Sequence, residues 1–351
     1  MRTFFGFITV AVLAAAGWFA WAVFTPLAPA PQTIVLLHPG YSTRRIASEL
    51  KTAGVIRNAH AFVLWHYIDH RRSLKAGEYL FDKPVSIVDV QRRLRRGDVY
   101  FHTVVVPEGY TMFDVARAIE AAGLGPANDF LKVAHSDTAL ISDIAPNAHS
   151  LEGYLFPDTY EFTRMMTMEE MAGAMVRQFR QVAHQIGMIP GPALIESSQT
   201  QPISVADPPQ TNFQNDLERT VIMASIVEKE TSVPEERPLV ASVYYNRLAK
   251  HVALDADPSI IYAELIAGTY QGALHHDDMQ FRSPYNTYRY VGLPPGPIGN
   301  PGRSSLEAAM HPAQTDYYYF VADAQGHHRF ARTLEEHDKN VAAYRKAMQG
   351  R

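Results

Sequence analysis

The N-terminal part of the chain is nearly free of charged side chains. From Thr3 to Thr43 the sequence contains no Asp, Glu, Lys or Arg, and Phe4 to Phe24 is almost wholly apolar. At 1.5 Å per residue, a helix over that run is about 31 Å long, which matches the roughly 30 Å hydrocarbon core of a bilayer. The run therefore predicts one membrane-spanning helix, with most of the chain on one side of the membrane.

The flanks of this run predict its orientation. Arg2 and the amino terminus are the nearby positive charges, so the positive-inside rule weakly favours a cytoplasmic tail at residues 1–3 and an external location from residue 33 onward. Leu27-Ala-Pro-Ala30 is similar to a signal-peptidase site, but the apolar run exceeds the roughly 7 to 15 residues of a cleaved signal. We expect an uncleaved anchor at 4–24 and a linker at 25–32.

Composition and missing motifs exclude several classes of function. The 351 residues are 47% hydrophobic and carry a net charge of -4, so nothing favours nucleic-acid binding, and we assign the basic cluster 92–96 to a solvated helix end. The chain has no cysteine and lacks the phosphate-loop, dinucleotide-binding, serine-hydrolase and zincin motifs. Adjacent ligand-type residues at 275–278 are poor metal geometry. We therefore expect no cofactor and no metal.

Turn and capping signals predict an α+β chain. We expect strands at 33–37 and 77–81 and helices at 44–53, 59–72, 86–94 and 167–186. A strand, a glycine turn and a capped helix recur from residue 103 to 122. Residues 101–149 are therefore a second small α+β unit or a connector, with chance recurrence of common elements as the alternative. Residues 190–215, rich in Pro, Ser, Thr and Gln, predict a flexible loop.

Four further capping signals follow in the C-terminal half. We expect Ser232 with Glu235, Asp257 with Pro258, Ser304 with Glu307, and Thr333 with Glu336 to open helices. Because capping gives these acids structural roles, it makes each of them a weaker candidate for a catalytic acid. Residues 316–321 and 328–331 predict a β-hairpin.

The chemical candidate is the stretch Met223–Thr231, in which an apolar helix ends in two glutamates. Burial of a carboxyl group raises its pKa, which a general acid needs near neutral pH. Glu228 and Glu230 point about 200° apart on a helix, and Glu230 lies on the face of the larger apolar residues. Two ordinary solvated glutamates are the alternative. We expect Glu230 to be the acid and Glu228 to support the site or the fold.

Eight phrases of the sequence, taken in order, resemble one known family. They are Glu152-Gly-Tyr-Leu-Phe-Pro-Asp-Thr-Tyr160, Ala224-Ser-Ile-Val-Glu-Lys-Glu-Thr231, Ala241-Ser-Val-Tyr-Tyr-Asn-Arg-Leu248, Asp257-Pro-Ser-Ile-Ile-Tyr262, Pro284-Tyr-Asn-Thr-Tyr288, Gly292-Leu-Pro-Pro-Gly-Pro-Ile298, His311-Pro312 and Tyr319-Phe-Val-Ala-Asp323. Together they resemble the endolytic murein transglycosylases, the YceG-like family, from about residue 34 to 346. The chain departs from that family at Asp255, where glutamine is expected, and in the long segment 190–215.

The resemblance implies a fold and a location. It implies a single-pass anchor in the inner membrane, a LysM-like α+β module at 33–100, and a mainly helical, periplasmic catalytic domain at 150–346 that carries the hairpin. The implied partners are peptidoglycan glycan strands and the inner membrane. Peptidoglycan synthases and division proteins stay open as protein partners.

The resemblance also implies a reaction with a single catalytic carboxyl group. Glu230 would protonate the glycosidic oxygen between N-acetylmuramic acid and N-acetylglucosamine, and its carboxylate would then accept the proton of the muramyl 6-hydroxyl to leave a 1,6-anhydro end. Further substrate contacts are expected from Glu152, Tyr154, Glu228, Asn246, Asp257, Asn286 and Tyr288.

Two other functions stay open at this point. A lysozyme-like hydrolase would use a second carboxylate, for which Glu152 and Asp257 are candidates. A glycan-binding scaffold of a division complex would keep the groove without catalysis. We also expect 284–288 and 292–302 to line the groove, because a backbone so rich in Pro and Gly is a poor packing element.

Overall fold

The computed structural model describes residues 2–69, 73–189 and 217–349, so the predicted loop at 190–215 and the end of the predicted helix 59–72 lie outside the described residues. The α-helices are α1 Arg2–Phe24, α2 Thr43–Thr52, α3 Ala59–Ile68, α4 Ile87–Arg96, α5 Met112–Ala121, α6 Ala127–Ser136, α7 Met168–Gln185, α8 Leu217–Glu230, α9 Arg237–Ala249, α10 Asp257–Ala267, α11 Arg303–Met310 and α12 Leu334–Gln349. Short 3-10 helices occur at Thr138–Ile141, Pro234–Glu236 and His276–Gln280.

The strands are β1 Thr33–Leu37, β2 Gly77–Phe81, β3 His102–Val105, β4 Thr159–Phe162, β5 Tyr319–Ala322 and β6 His328–Ala331. In the described part of the chain they pair two by two, as β1 with β2, β3 with β4, and β5 with β6. The mixture of helices and small sheets confirms the α+β class. The chain divides into two compact units: unit one is Met1–Thr103 with Glu161–Thr167, and unit two is Val104–Tyr160 with Met168–Arg351.

Unit one forms around the antiparallel pair β1 and β2, in which Thr33 faces Phe81 and Leu37 faces Gly77. Helices α2 and α3 follow β1 directly and pack against each other. Ser42 caps α2 by accepting a hydrogen bond from the Arg45 amide, as the sequence predicts. The core of unit one includes the fully buried side chains of Leu37, Leu50, Phe62, Phe81 and Leu94.

Helix α1 enters the core of unit one at its C-terminal end. Ala22 and Val23 are buried in that core and Phe19 packs against it. Within the described residues, α1 is the helix that is long and apolar enough, from Phe4 to Phe24, to cross a membrane by length and composition. The segment predicted as a linker is also held in place, because Leu27 exchanges two backbone hydrogen bonds with Val85 at 2.9 and 3.0 Å.

Unit two is organised around α8. Every side chain of α8 from Thr220 to Val227 is buried. Helices α9, α10 and α11 all pack against it, which is the arrangement expected for a helix that is apolar on nearly every face. The predicted burial of this helix is confirmed, and its C-terminal end carries the two glutamates.

Three of the four predicted capping roles are wrong. Neither Ser232, Asp257 nor Ser304 makes a capping hydrogen bond, since the helices begin after Val233, Ala256 and Gly302 without a side-chain cap. The physical reason is register: Asp257 and Ser304 fall inside the first turn instead of preceding it. Thr333 does cap α12, because its Oγ1 accepts from the Glu336 amide at 3.2 Å. Asp257 is consequently free of a capping role.

Strands β5 and β6 are antiparallel, with Tyr319 opposite Ala331 and Ala322 opposite His328. Gly326 in the turn has a φ of +88°, a region that favours glycine. Glu236 fixes the hairpin to the start of α9 by accepting from the His328 amide at 3.0 Å and bonding the His328 ring at 2.7 Å. Helix α12 packs against both strands of the hairpin.

Candidate active site

A cavity of about 420 Å³ lies in unit two at the C-terminal end of α8. Side chains reach it from α8, from α9, from the segment that leads into α10 and the first residue of α10, from the loop at Tyr288, from β5 and Tyr318 before it, and from α12. Its polar and aromatic lining residues are Glu230, Tyr244, Arg247, Asp255, Asp257, Tyr288, Tyr318, Tyr319, Phe320 and His337. A wall of tyrosines with a few acids and one arginine suits a sugar, which presents both apolar ring faces and hydroxyl groups.

Glu230 supplies a carboxyl group to the wall of this cavity. The Tyr244 hydroxyl donates a hydrogen bond to its Oε1 at 2.7 Å, and among the described residues this is the only hydrogen bond to the Glu230 side chain. Burial raises the pKa of Glu230 to about 7, with the nearby Asp257 charge acting in the same direction and the Tyr244 hydrogen bond acting against it. The carboxyl group can therefore hold or release a proton near neutral pH, and Oε2 is available to a ligand.

Tyr244 is itself firmly placed. It is buried on α9, and its ring meets Phe320 of the hairpin edge-on, with ring centroids 5.8 Å apart. Burial, helped by the neighbouring Glu230 charge, raises the pKa of Tyr244 well above its ordinary value. Tyr244 therefore stays protonated and acts as a hydrogen-bond donor to Glu230.

Asp257 and Tyr288 form a second polar pair in the cavity. The Tyr288 hydroxyl donates to Asp257 Oδ1 at 2.5 Å. Asn286 holds the backbone at this point, since its Oδ1 accepts from the Tyr288 amide at 3.0 Å. The Asn286 side chain is fully buried and donates to two backbone carbonyls. The structure thus brings Asp257 and Tyr288 to the cavity, and gives Asn286 the role of shaping the loop behind them.

Arg247 organises the floor of the cavity, a role that the sequence did not suggest. Its guanidinium group donates to the carbonyls of Tyr318, Ala253 and Leu254 and to Asp255 Oδ2 at 2.7 to 3.0 Å. It also lies over the Tyr319 ring, 5.2 Å from the centroid. Arg247 therefore joins the hairpin to the segment before α10.

Asp255, which stands where the resemblance predicts glutamine, also has an unusual backbone conformation. Its φ is +52°, a left-handed conformation that few residues other than Gly, Asn and Asp adopt readily. Its side chain accepts from Arg247 at 2.8 Å.

An aromatic run, Tyr317 to Phe320, was the one sequence signal that could have pointed to the hairpin as a cavity wall.

Glu228 points away from the cavity, as the helical geometry predicted. Its carboxylate is 2.8 Å from the Arg237 guanidinium and accepts from the Gly302 amide at 2.9 Å. The side chain of Glu228 is 5% exposed, and burial raises its pKa against the opposing effects of Gly302 and Arg237. These contacts join the end of α8 to the start of α11, which is a structural role.

Glu152 is buried at a junction outside the cavity lining. It accepts from the Met112 amide at 2.9 Å and from the Asn300 side chain at 2.9 Å. The same Asn300 side chain accepts from the amides of Gly153 and Leu155. Burial raises the pKa of Glu152 to about 7, although hydrogen bonds from Met112 and Tyr262 lower it.

Two more predicted contacts have structural surroundings. Tyr154 is fully buried, and its ring packs edge-on against Phe179. Asn246 donates to the carbonyls of Thr315 and Tyr317 at 2.9 Å and so holds the chain before β5. The cavity lining therefore includes Glu230, Asp257 and Tyr288 from the predicted set, and the other five residues are not part of that lining.

The expectation that residues 292–302 are not a packing element is wrong for the second half of this loop. Residues 297 to 302 are buried. The Ile298 amide donates to Ser225 Oγ at 3.0 Å, and the Asn300 amide donates to the Tyr110 carbonyl at 2.8 Å. Pro and Gly allow close approach here: a Cβ on Gly299 would stand 3.0 Å from the Gly109 carbonyl oxygen. In the part of the chain that the structure describes, no three His, Cys, Asp or Glu side chains converge as metal ligands.

Comparisons with known proteins match this chain over most of its length. The model of the YceG-like family matches residues 35–343. A protein named endolytic murein transglycosylase from Bacillus subtilis is 32% identical over 320 residues, which cover 87% of this chain and 82% of that protein. A protein of the same name from Streptococcus pneumoniae is 28% identical over an alignment of 372 residues, covering 96% of this chain but 64% of that protein.

A solved structure agrees with these matches. The crystal structure of a protein described as YceG-like, from Listeria monocytogenes, is 32% identical and superposes with a TM-score of 0.55. The match covers 87% of this chain and 98% of that one.

Proposed function

The chain belongs to the YceG-like family, and from that membership we propose that it is a membrane-anchored endolytic murein transglycosylase whose general acid and base is Glu230. One observation carries the proposal: a partly buried carboxyl group with a pKa of about 7 lies in the wall of a tyrosine-lined cavity. The names of the Bacillus and Streptococcus relatives support the same activity.

The proposed reaction needs one proton donor that becomes an acceptor. Protonated Glu230 gives its proton to the glycosidic oxygen as the bond to the anomeric carbon of N-acetylmuramic acid breaks, and N-acetylglucosamine leaves with a hydroxyl group. The muramyl 6-hydroxyl then bonds to the anomeric carbon, and its proton passes to the Glu230 carboxylate. The carboxyl group is restored, water is not consumed, and the product has a 1,6-anhydro end. A pKa near 7 suits both halves of this cycle.

The remaining cavity residues have supporting roles in this proposal. Tyr244 holds Glu230 Oε1, so that Oε2 carries the exchanged proton. Asp257 lies in the same cavity and is held by Tyr288. Its negative charge favours the positive charge that develops at the anomeric carbon, and it also favours the protonated form of Glu230.

We propose that α1 is a single-pass anchor in the inner membrane and that the two units lie in the periplasm. The charge-free run of spanning length and the weak positive-inside signal support this location. The order β1, α2, α3, β2 with paired outer strands supports a LysM-like module at 33–100. The proposed substrate is nascent peptidoglycan. Synthases and division proteins stay candidate partners.

Asp257 also keeps a second function open. A lysozyme-like hydrolase uses two carboxyl groups beside the scissile bond, and Glu230 and Asp257 share one cavity. A hydrolase transfers water to the anomeric carbon and leaves a reducing end, whereas the proposed enzyme leaves an anhydro end.

The test is product analysis with the full chain in detergent. Purified sacculi are incubated with the wild type, with Glu230→Gln and with Glu335→Gln, a control on the exposed side of α12, and soluble products are identified by mass spectrometry. Anhydro products are expected from the wild type and the control, and at least about a hundredfold less from Glu230→Gln. Reducing ends would replace the proposal with a hydrolase. No soluble product from folded wild-type protein would favour a glycan-binding scaffold.

A further inference from the structure

The end of α1 is packed into unit one although the whole of α1 is needed to span a bilayer. The run Phe4 to Phe24 is 21 residues long. Phe19, Ala22 and Val23 join the core of unit one. Removing residues 19–24 leaves 15 residues, or about 22 Å of helix, which is short of the roughly 30 Å hydrocarbon core.

The connection between α1 and unit one leaves little room to resolve this mismatch by bending. The Arg57 guanidinium group donates to the carbonyls of Thr25 and Pro26 at 2.6 and 2.8 Å, and it lies over the Trp21 ring, 5.0 Å from the centroid. The parts of unit one that flank the last turns of α1 therefore lie at the depth of those turns, about 9 Å below the end of the helix.

Helix α3 is one of these flanking parts. It packs against α1, and the Trp65 ring of α3 is 5.2 Å from the Phe24 ring of α1. On its outer face α3 presents Leu64, Tyr67 and Ile68, which are 50%, 46% and 52% exposed. Their spacing of i, i+3 and i+4 places them on one side of the helix.

Resting on the proposed membrane anchor, we propose that Leu64, Tyr67 and Ile68 form a membrane-contact face that inserts into the leaflet from which α1 emerges. The occupant of this face is lipid: acyl chains against Leu64 and Ile68, and the headgroup boundary against Tyr67, where aromatic residues with a polar end are favoured. Trp18, Trp21 and Phe24 are half-exposed on the last turns of α1, and the Phe24 ring contacts Trp65 of α3, so the apolar surface of the anchor continues onto α3. Unit one is thereby fixed against the bilayer surface and does not hang from a flexible tether.

The absence of cysteine from the chain allows a direct test. Single variants Ile68→Cys, Leu13→Cys and Lys51→Cys of the full chain are labelled with an environment-sensitive fluorophore and reconstituted in lipid nanodiscs with or without nitroxide-labelled lipids. Leu13 lies mid-way along α1 and reports on the anchor, whereas Lys51 lies on an exposed part of α2. All three positions are exposed, so labelling need not disturb the core, and circular dichroism checks the fold.

We expect lipid nitroxides near the headgroups to quench the Ile68 label at least about twofold more than the Lys51 label, because a helix face of this kind is buried about 5–10 Å into the interface. Nitroxides on the acyl chains should quench the Leu13 label if α1 spans the bilayer. Quenching at Leu13 without quenching at Ile68 would overturn the contact face and leave the anchor intact. Loss of quenching at both positions would overturn the anchor as well. A blue-shifted but unquenched Ile68 label would show that another protein surface, such as a second copy, covers the face, and would also overturn the proposal.

Discussion

Glu230 and Glu152 are two glutamates of unit two whose pKa is raised to about the same value, although Glu152 is fully buried and Glu230 is partly buried at a cavity. Burial raises each pKa from an ordinary value of 4.5 to about 7. Glu152 has its oxygens occupied by Met112 and Asn300 at a closed junction. Glu230 has one partner, Tyr244, and a cavity of about 420 Å³ beside it. A raised pKa therefore identifies burial, and only the open oxygen identifies a candidate acid.

The largest expected effect is on activity and separates the two residues. Glu230→Gln keeps the shape of the side chain but removes the transferable proton, so we expect glycan cleavage to fall about 10²- to 10⁴-fold, as is typical of acid–base catalysis. The thermal midpoint should stay near the wild-type value or rise. Release of soluble muropeptides from sacculi, measured per folded molecule, checks the rate.

Glu152→Gln is the matched control, because it makes the same change in a carboxyl group of similar pKa outside the cavity. The fraction of Glu152→Gln that is folded should cleave at close to the wild-type rate. If Glu152→Gln were folded and inactive while Glu230→Gln stayed active, the roles assigned to the two glutamates would be reversed.

The next largest effect is on stability, and it concerns Glu152 instead of Glu230. Glu152→Ala leaves the Met112 amide and the Asn300 side chain without their buried acceptor, and each unsatisfied buried group costs about 1–3 kcal/mol. We expect the free energy of unfolding to fall by roughly 2–5 kcal/mol, the sum over these two groups less some relaxation. Denaturant titration in detergent measures it, with Glu335→Ala on the exposed side of α12 as the control. A loss no larger than that of the control would show that the junction does not depend on Glu152.

The pH dependence of stability provides a smaller test of the Glu230 environment. The folded-state pKa of about 7 lies above the ordinary 4.5, so between these values the folded state binds more protons than the unfolded state. Wild-type stability therefore loses up to about 1.4 kcal/mol per pH unit from this group as pH rises through that window. Glu230→Gln lacks this loss, and its stability relative to wild type should increase from pH 5 to pH 7 and then level off.

Paired denaturant titrations at several pH values measure this difference, so that pH effects shared by the two proteins cancel. A pH-independent difference between the two proteins would mean that Glu230 titrates normally and that its surroundings do not raise its pKa.

The contrast between the two glutamates also shows what the sequence could predict. The buried helix and the opposite directions of Glu228 and Glu230 follow from apolar patterning and the helical period, both of which are local properties. The junction of Glu152 depends on Asn300, 148 residues away in the sequence, and no local pattern reports such a contact. The same holds for Arg247, which donates to the Tyr318 carbonyl, 71 residues away in the sequence.

The capping signal at Asp257 predicts the wrong role for its side chain for a related reason. Asp before Pro is a good local signal for a helix start, but the helix begins at Asp257 itself and the side chain bonds Tyr288, which lies 31 residues further on. Local preference placed the helix correctly and assigned the wrong partner to the side chain.

The smallest expected effect concerns Asp257, whose charge acts on Glu230 and whose side chain accepts a hydrogen bond from Tyr288. Its charge raises the pKa of Glu230, so Asp257→Asn should lower that pKa and reduce the protonated fraction of Glu230 above neutral pH. The pH optimum of glycan cleavage should move to lower pH. The rate at that optimum should fall by less than about tenfold if Asp257 acts mainly through charge, since one hydrogen bond to a charged group contributes about 1.5–3 kcal/mol and the amide keeps part of it.

Tyr288→Phe is the matched variant, because it removes the hydroxyl that holds Asp257 and leaves the charge in place. It should lower the rate without moving the optimum to lower pH. An Asp257→Asn variant that is folded and as inactive as Glu230→Gln would instead indicate a second essential carboxyl group, and with it the hydrolase mechanism in which Glu230 and Asp257 act as a pair.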